Sequence, residues 1–239
     1  GQLTKPVVDQ IASYLAVHTS FSDSQLVTVL AGGNDLFIDR ALTVDAHVQG
    51  ILQAEQAGQI DAATAATMIA AAASSAVDQM TLAGTQLADL VKTQIIANGG
   101  KHVVVVNLPN VALTPDNALW VSTGAGQYVE PVHAHLTLDM TNAFNAALAA
   151  GLSVTTAGNG NQSSSLPEVV WVDAFTANTD QSAHPAAYGL TNVDTPACKL
   201  DGTAGSTGLT VPTSSTTTTF VPLASSLFCT ANTLISADT

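Results

Sequence analysis

The chain has 239 residues, of which 46% are hydrophobic and 10% charged, so it can fill a substantial core and is not expected to be disordered. Its formal net charge is −13, and its five Lys and Arg residues do not cluster. This excludes nucleic acid as a partner and argues against anionic membrane surfaces, although not against neutral lipids. The low charge content and the abundant Ala, Thr, Ser and Gly indicate a secreted protein.

The first part of the chain is predicted to form a helix, a strand and one or two further helices. Apolar residues recur at near-helical spacing in residues 6–18. The apolar run that begins at Leu26 does not alternate with polar residues, which is typical of a strand buried on both faces of a parallel sheet. Residues 38–57 are predicted to form one helix or two short ones, broken at Gly58.

The Ala-rich segment that follows is predicted to form a long helix in water. Asp61 is a good N-cap residue, an interruption is expected near Gly84, and the Asn-Gly-Gly sequence at residues 98–100 ends the helix. Asp61 and Asp78 bracket the Ala-rich run too closely for the roughly 20 apolar residues that a membrane span needs. The sequence therefore predicts no transmembrane helix.

Two more strands, also expected to be buried on both faces, are predicted at residues 101–109 and 167–173. Between them we expect a polar loop to about Pro131 and then a helix rich in Ala and Leu that ends at Gly151. Strands that alternate with helices predict an α/β fold with a parallel sheet and right-handed crossovers. We expect a single domain over residues 1–239.

Polar residues follow the first predicted strand in the stretch LVTVLAGGNDLF at residues 26–37. Gly32 and Gly33 allow a tight turn or a close backbone approach. Asn34 and Asp35 then lie just past the carboxyl end of the strand, where open α/β sheets bind their ligands. Asn and Asp are also preferred N-cap residues. On these residues alone, a functional role and a capping role both remain open.

The two cysteines, Cys198 and Cys229, lie in the last quarter of the chain. They form either a disulfide or a pair of free thiols. The Gly, Ser and Thr-rich segment between them has little apolar material to pack, so a covalent link would help to hold it, and we favour the disulfide. No CxxC motif and no Cys/His spacing typical of a metal site occurs, so no metal is predicted.

Four stretches, in this order and spacing, resemble the GDSL/SGNH family of lipases and esterases. AGGNDLF is similar to the Gly-x-Asn-Asp block of the family, and GGKHVVVVNLPNVALTP resembles the strand and Leu-Pro loop that follow it. VVWVDAF and HPAAYGLTNVDTPAC resemble a strand and the Tyr-Gly-Leu-Thr-Asn segment of the secreted lipase/phospholipase branch. The agreement covers most of the chain.

The resemblance implies a three-layer α/β/α fold of flavodoxin-like type, to which this chain contributes the middle and later strands, and ester hydrolysis through an acyl-serine intermediate without a cofactor. Asn34 would donate its side-chain amide to the oxyanion of the tetrahedral intermediate. Gly32 and Gly33 would keep the turn tight. Asp35 would fix the loop or cap the helix.

The sequence departs from the family at both ends. It contains no Gly-Asp-Ser-Leu motif, no second oxyanion glycine and no Asp-x-x-His-Pro block after the cysteines. Asp180 precedes His184 by four residues where the family has three, so His184 is expected to be a surface residue and not the general base. We expect the catalytic Ser and His to come from a companion polypeptide segment.

His133 and His135 are two residues apart. On a helix, side chains at this spacing do not point to the same side, so the pair is not expected to bind one metal ion.

Two other functions remain open. One is a carbohydrate-deacetylating esterase of the same superfamily, and the other is a non-catalytic secreted module that kept the α/β scaffold. A screen of lipid esters against acetylated sugars separates the two enzymes. A Gly-Asp-Ser-Leu segment in a companion chain separates either enzyme from the module.

We predict that Cys198 and Cys229 are bonded to each other. A disulfide here closes a loop of about thirty residues, for which the chain-entropy model gives roughly 3–4 kcal/mol of stabilisation. Alkylation under denaturing, non-reducing conditions is expected to find no free thiol. Quantitative labelling of both cysteines would rule out the bond and weaken the secreted assignment.

Overall fold

A computed structural model describes residues 5–194 of the chain and two short strands at residues 208–211 and 219–222. It shows a mixed α/β protein with a small parallel sheet. Cys198 and Cys229 lie outside the described residues, so their disulfide stays a prediction. No described helix is long and apolar enough to cross a membrane.

The helices and strands of the described residues occur in the following order: α1 Val7–His18, β1 Leu26–Val29, α2 Gly33–Asp39, α3 Ala46–Gln56, α4 Ala62–Leu90, β2 His102–Val106, α5 Pro115–Thr123, α6 Gly126–Val129, α7 Leu136–Gly151, β3 Val154–Thr156, β4 Gln162–Ser164, β5 Val169–Val172, α8 Ala174–Ala183, β6 Gly208–Val211 and β7 Thr219–Pro222. A π-helical turn, Arg40–Asp45, joins α2 to α3. A second π turn, Val91–Ile95, and a 3-10 turn, Ile96–Asn98, continue α4.

Several predicted helix boundaries are confirmed. The Asp61 side chain caps α4 by accepting a hydrogen bond of 2.8 Å from the Thr64 backbone N–H. The helical run after α4 ends at Gly99, whose φ of +99° is a left-handed conformation that favours glycine. Gly58 has a φ of +69° after α3, and α7 ends at Gly151 as expected.

Two predictions in this region are wrong. α4 continues through Gly84 without interruption. The glycine is needed there for close packing of α4 on α7, because an added Cβ would overlap the Phe144 carbonyl. The polar stretch before Pro131 is not a loop but contains α5 and α6. Thr114 caps α5 through the Asn117 N–H, and Pro115 occupies the first turn, where its missing N–H costs nothing.

Three strands form a parallel sheet in the order β1-β2-β5. Thr28 pairs with Val104, and Val104 pairs with Val170, so side chains at alternate positions of the three strands share a face. Among the described residues β1 pairs on one side only, with β2. The backbone N–H and C=O groups on its other edge are paired with no strand that the structure describes.

The two faces of this sheet differ in burial. One face belongs to the core that also contains the inward sides of α4 and α7; it consists of Val27, Val29, Val103, Val105, Val169 and Trp171. The opposite face, here called the open face, consists of Leu26, Thr28, His102, Val104, Val106, Val170 and Val172. On the open face Leu26 is 66%, Val170 58% and Val172 40% exposed. On β2, His102 is exposed and Val104 and Val106 are half-buried. The prediction that all three strands are buried on both faces is therefore wrong.

We predict that the isolated chain is insoluble or partly unfolded, because an apolar open face and a free strand edge favour aggregation. Size-exclusion chromatography and a thermal melt measure this directly. Val170→Thr, which keeps β-propensity on the open face, should raise the soluble fraction. Val103→Thr, on the buried face of the neighbouring strand, should lower it. A monodisperse wild-type chain that melts cooperatively would contradict the prediction.

Candidate active site

The turn between β1 and α2 places Asn34 at the carboxyl edge of the sheet. α2 begins at Gly33. Gly32 occupies the N-cap position, and no side-chain hydrogen bond caps the helix there. The side chains of Asn34 and Asp35 lie within the first turn and do not cap the helix. Asn34 is exposed and its side chain makes no hydrogen bond to any described residue. Its amide is therefore free to bind a ligand.

Gly32 holds this turn by a close approach to α7. Its φ is +108°, and an added Cβ would overlap the ring of Phe144, which is buried under the turn. The position therefore requires glycine both for its backbone angles and for space. Gly33 has no such constraint, because a Cβ at this position would come within 4 Å of no atom beyond its chain neighbours and the nearby backbone of its own helix.

A hydrogen-bonded pair at the same edge of the sheet was not predicted from the sequence. Asn107 directly follows β2 and Asp173 directly follows β5. The buried Asn107 amide donates a 3.0 Å hydrogen bond to Asp173 Oδ1 and accepts one of 3.0 Å from the Phe175 backbone N–H. A polar residue immediately after each buried strand was the signal available in the sequence.

Asp173 is also bonded to the β3–β4 hairpin and to its own helix. Gln162 Nε2 donates to Asp173 Oδ2 at 2.9 Å, and the Trp171 indole N–H donates to Gln162 Oε1 at 2.9 Å. The Thr176 backbone N–H and hydroxyl both donate to the Asp173 carboxylate, which caps α8. Burial raises the pKa of Asp173, but the hydrogen bonds from Thr176, Asn107 and Phe175 together bring it below its ordinary value. These bonds give Asp173 a structural role at this edge.

His184 directly follows α8 and is paired with a carboxylate of that helix. Its Nδ1 lies 2.9 Å from Asp180 Oδ1, and the Tyr188 hydroxyl donates to the other Asp180 oxygen. These two bonds lower the pKa of Asp180, and the bond to Asp180 raises that of Tyr188. In the part of the chain that the structure describes, no hydrogen bond joins this group to the turn that carries Asn34.

His133 and His135 lie in the turn before α7, and not on a helix. His133 Nε2 is 3.2 Å from Asp139 Oδ2, and the His135 backbone N–H is bonded to the Glu130 carboxylate. Within residues 5–194, His, Cys, Asp and Glu side chains do not assemble in groups of three or more that could hold a metal ion.

We predict that Asp173→Asn destabilises the protein at pH 7 by about 1–2 kcal/mol, because it removes charge-assisted hydrogen bonds while Asn still serves as an N-cap. The folded-state pKa of Asp173 is lowered, so its carboxylate contributes stability above the unfolded-state pKa, and this contribution is lost as the pH falls through the folded-state pKa. Urea unfolding of the complete protein at several pH values measures the free energy of unfolding. The difference between wild type and Asp173→Asn should become smaller as the pH is lowered.

The matched control for this substitution is Asp23→Asn, at an exposed carboxylate outside the network. It should leave the free energy of unfolding unchanged. An Asp173→Asn protein as stable as wild type at pH 7 would show that the network does not contribute.

No protein-family model, no curated protein and no solved structure matches this chain. The resemblance to GDSL/SGNH enzymes therefore rests on the sequence motifs alone.

Proposed function

We propose that this chain forms the greater part of a secreted serine esterase or lipase of the GDSL/SGNH type, in which Asn34 contributes to the oxyanion hole. The observation that carries the proposal is the exposed Asn34 amide, without a hydrogen-bond partner among the described residues, on a turn fixed by Gly32 against Phe144. An oxyanion donor has to be accessible to substrate, and the exposed Asn34 amide meets that requirement.

The chemistry of ester hydrolysis explains why an amide is suited to this place. When a serine hydroxyl attacks the ester carbonyl, its proton passes to a base and the carbonyl oxygen becomes an anion. A preorganised, uncharged donor stabilises that anion, and one such donor can lower the barrier by about 3–4 kcal/mol. The Asn side chain offers two N–H groups and no proton that can be lost at neutral pH.

The apolar surface beside Asn34 favours a lipid-type ester over an acetylated sugar. Phe37 and Ile38 follow Asn34 at spacings of three and four residues, so the three side chains share one face of α2. Phe37 is 43% and Ile38 55% exposed. An acyl chain bound next to the oxyanion donor would cover these side chains, whereas a sugar would leave them in water.

The nucleophile and the base belong to a companion segment in this proposal. The residues between β1 and α2, those at 107–110 after β2, and Asp173 after β5 include no serine and no histidine. Of the two edge strands in the described sheet, β1 and β5, β1 is the one that leads into the Asn34 turn, and a further parallel strand can join the sheet at its outer edge. A companion strand there would end next to Asn34, and its accompanying helix would cover the open face and complete three layers.

We predict that Asn34→Ala in the complete enzyme lowers kcat about a hundredfold or more, with a smaller effect on KM, because the amide binds the oxyanion more tightly than the substrate carbonyl. Asn34→Asp should lose at least as much activity, since it places a negative charge against the oxyanion. Melting temperatures should change little in both variants. Steady-state kinetics on a soluble lipid-type ester supply the measurement.

Asp35→Asn is the matched control, because it changes the adjacent side chain on the same turn without removing the Asn34 donor. It should keep near-normal kcat. An active Asn34→Asp enzyme would overturn the assignment of Asn34.

A further inference from the structure

A buried arginine lies at the other end of the helix that carries Asn34. Arg40 opens the π turn directly after α2 and is 8% exposed, the one buried Lys or Arg in residues 5–194. Its guanidinium lies between two rings, 5.3 Å from the Phe37 centroid and 5.1 Å from the Trp120 centroid. Its Nη2 is 2.5 Å from Asp116 Oδ2 on α5.

α5 is bonded to both ends of this π turn. Asp116 pairs with Arg40, the first residue of the turn, and the Trp120 indole N–H donates to Oδ1 of Asp45, the last residue, at 2.9 Å. Asp116 and Trp120 are four residues apart on α5 and so lie on one face of it. These four residues, Arg40, Asp45, Asp116 and Trp120, are here called the Arg40 clamp.

The Arg40 clamp joins two helices at a cost in stability. Arg40 Nη1 is buried and has no partner among the described residues, which is unfavourable for a charged group. Burial also raises the pKa of Asp45, against the effects of its Trp120 hydrogen bond and of Arg40. Well-packed apolar side chains join helices at lower cost. Directional ion pairs and hydrogen bonds instead define one relative position of α2 and α5.

This position matters for Asn34 because α2 is short and has one buried side chain, Leu36, between its two ends. α2 has seven residues, Gly33–Asp39, and its start is held by Gly32 against Phe144. Arg40 follows Asn34 by six residues, which is about 9 Å along the helix axis. A rotation or slip of α2 at its Arg40 end would therefore move the Asn34 amide at the other end.

We propose that the Arg40 clamp is a positioning device for the reaction, in which Arg40 and Asp116 fix the rotation of α2 and so hold the Asn34 amide at the oxyanion site. This inference rests on the proposed function of Asn34. A misplacement of about 1 Å at a reacting centre can cost on the order of a hundredfold in rate. Arg40 itself touches no substrate in this account.

The test is a double-mutant cycle between Arg40→Met and Asn34→Ala in the complete, active enzyme. Arg40→Met should lower kcat about tenfold to a hundredfold with little change in KM. In the Asn34→Ala background the same substitution should lower kcat no further, because the group that it positions is gone. Arg40→Lys, which keeps the charge but not the planar fork, should give an intermediate loss.

Asp116→Asn is the second variant if Arg40→Met does not fold, and it should follow the same pattern in the cycle. Lys92→Met is the matched control, since Lys92 also lies in a π turn but makes an exposed 3.0 Å ion pair with Asp89. It should leave kcat unchanged.

Hydrogen exchange gives a readout that does not depend on activity. Arg40→Met should speed the exchange of backbone amides in α2 and not in α7.

Any of three results would overturn the inference. Arg40→Met could keep the wild-type kcat, or it could lower kcat equally in the wild-type and Asn34→Ala backgrounds. The third is an unchanged rate of hydrogen exchange in α2 of Arg40→Met. Failure of the proposed function looks different. In that case Asn34→Ala itself keeps full activity, or the complete protein hydrolyses no ester.

Discussion

The contact between Gly32 and the ring of Phe144 is the constraint on which the presentation of Asn34 depends. Phe144 lies on α7, and α7 approaches α4 closely because Gly84 leaves room for the Phe144 carbonyl. The packing of two long helices in the core therefore fixes the ring on which the β1–α2 turn rests. Any side chain at Gly32 would displace this turn, and with it the start of α2.

The small sheet has an asymmetry that connects its packing to the proposed reaction. One face is buried with α4 and α7, whereas the open face keeps apolar side chains such as Val170 exposed to water. Among the described residues the outer edge of β1 has no strand partner. Apolar strands of this composition are normally covered on both faces. A companion segment that covers the open face and pairs with β1 would bring its own side chains to the carboxyl edge, where Asn34 lies. In this account completing the fold and completing the active site are one event.

Local signals in the sequence predicted much of the fold, because they act over a few residues. Asp61 at the start of α4 and Gly99 after its end are examples in which one residue type satisfies one backbone requirement. Gly84 was misread because its reason is a contact with α7, far away in the sequence. The same holds for the candidate site: Asn34 was predicted from its motif, whereas the Asn107–Asp173 bond and the Arg40 clamp join residues more than sixty positions apart. The position of Asn107 and Asp173 directly after their strands indicated the edge of the sheet on which they lie, but neither periodicity nor spacing identifies the partner of a side chain.

The most direct test of the central claim is a crystal structure of the complete protein after reaction with a phosphonate ester, whose adduct on the serine imitates the tetrahedral intermediate. We expect a phosphonyl oxygen about 2.7–3.1 Å from Asn34 Nδ2, the distance of an oxyanion-hole donor. An adduct whose oxygens are all bound by other groups, with the Asn34 amide directed into solvent, would contradict it.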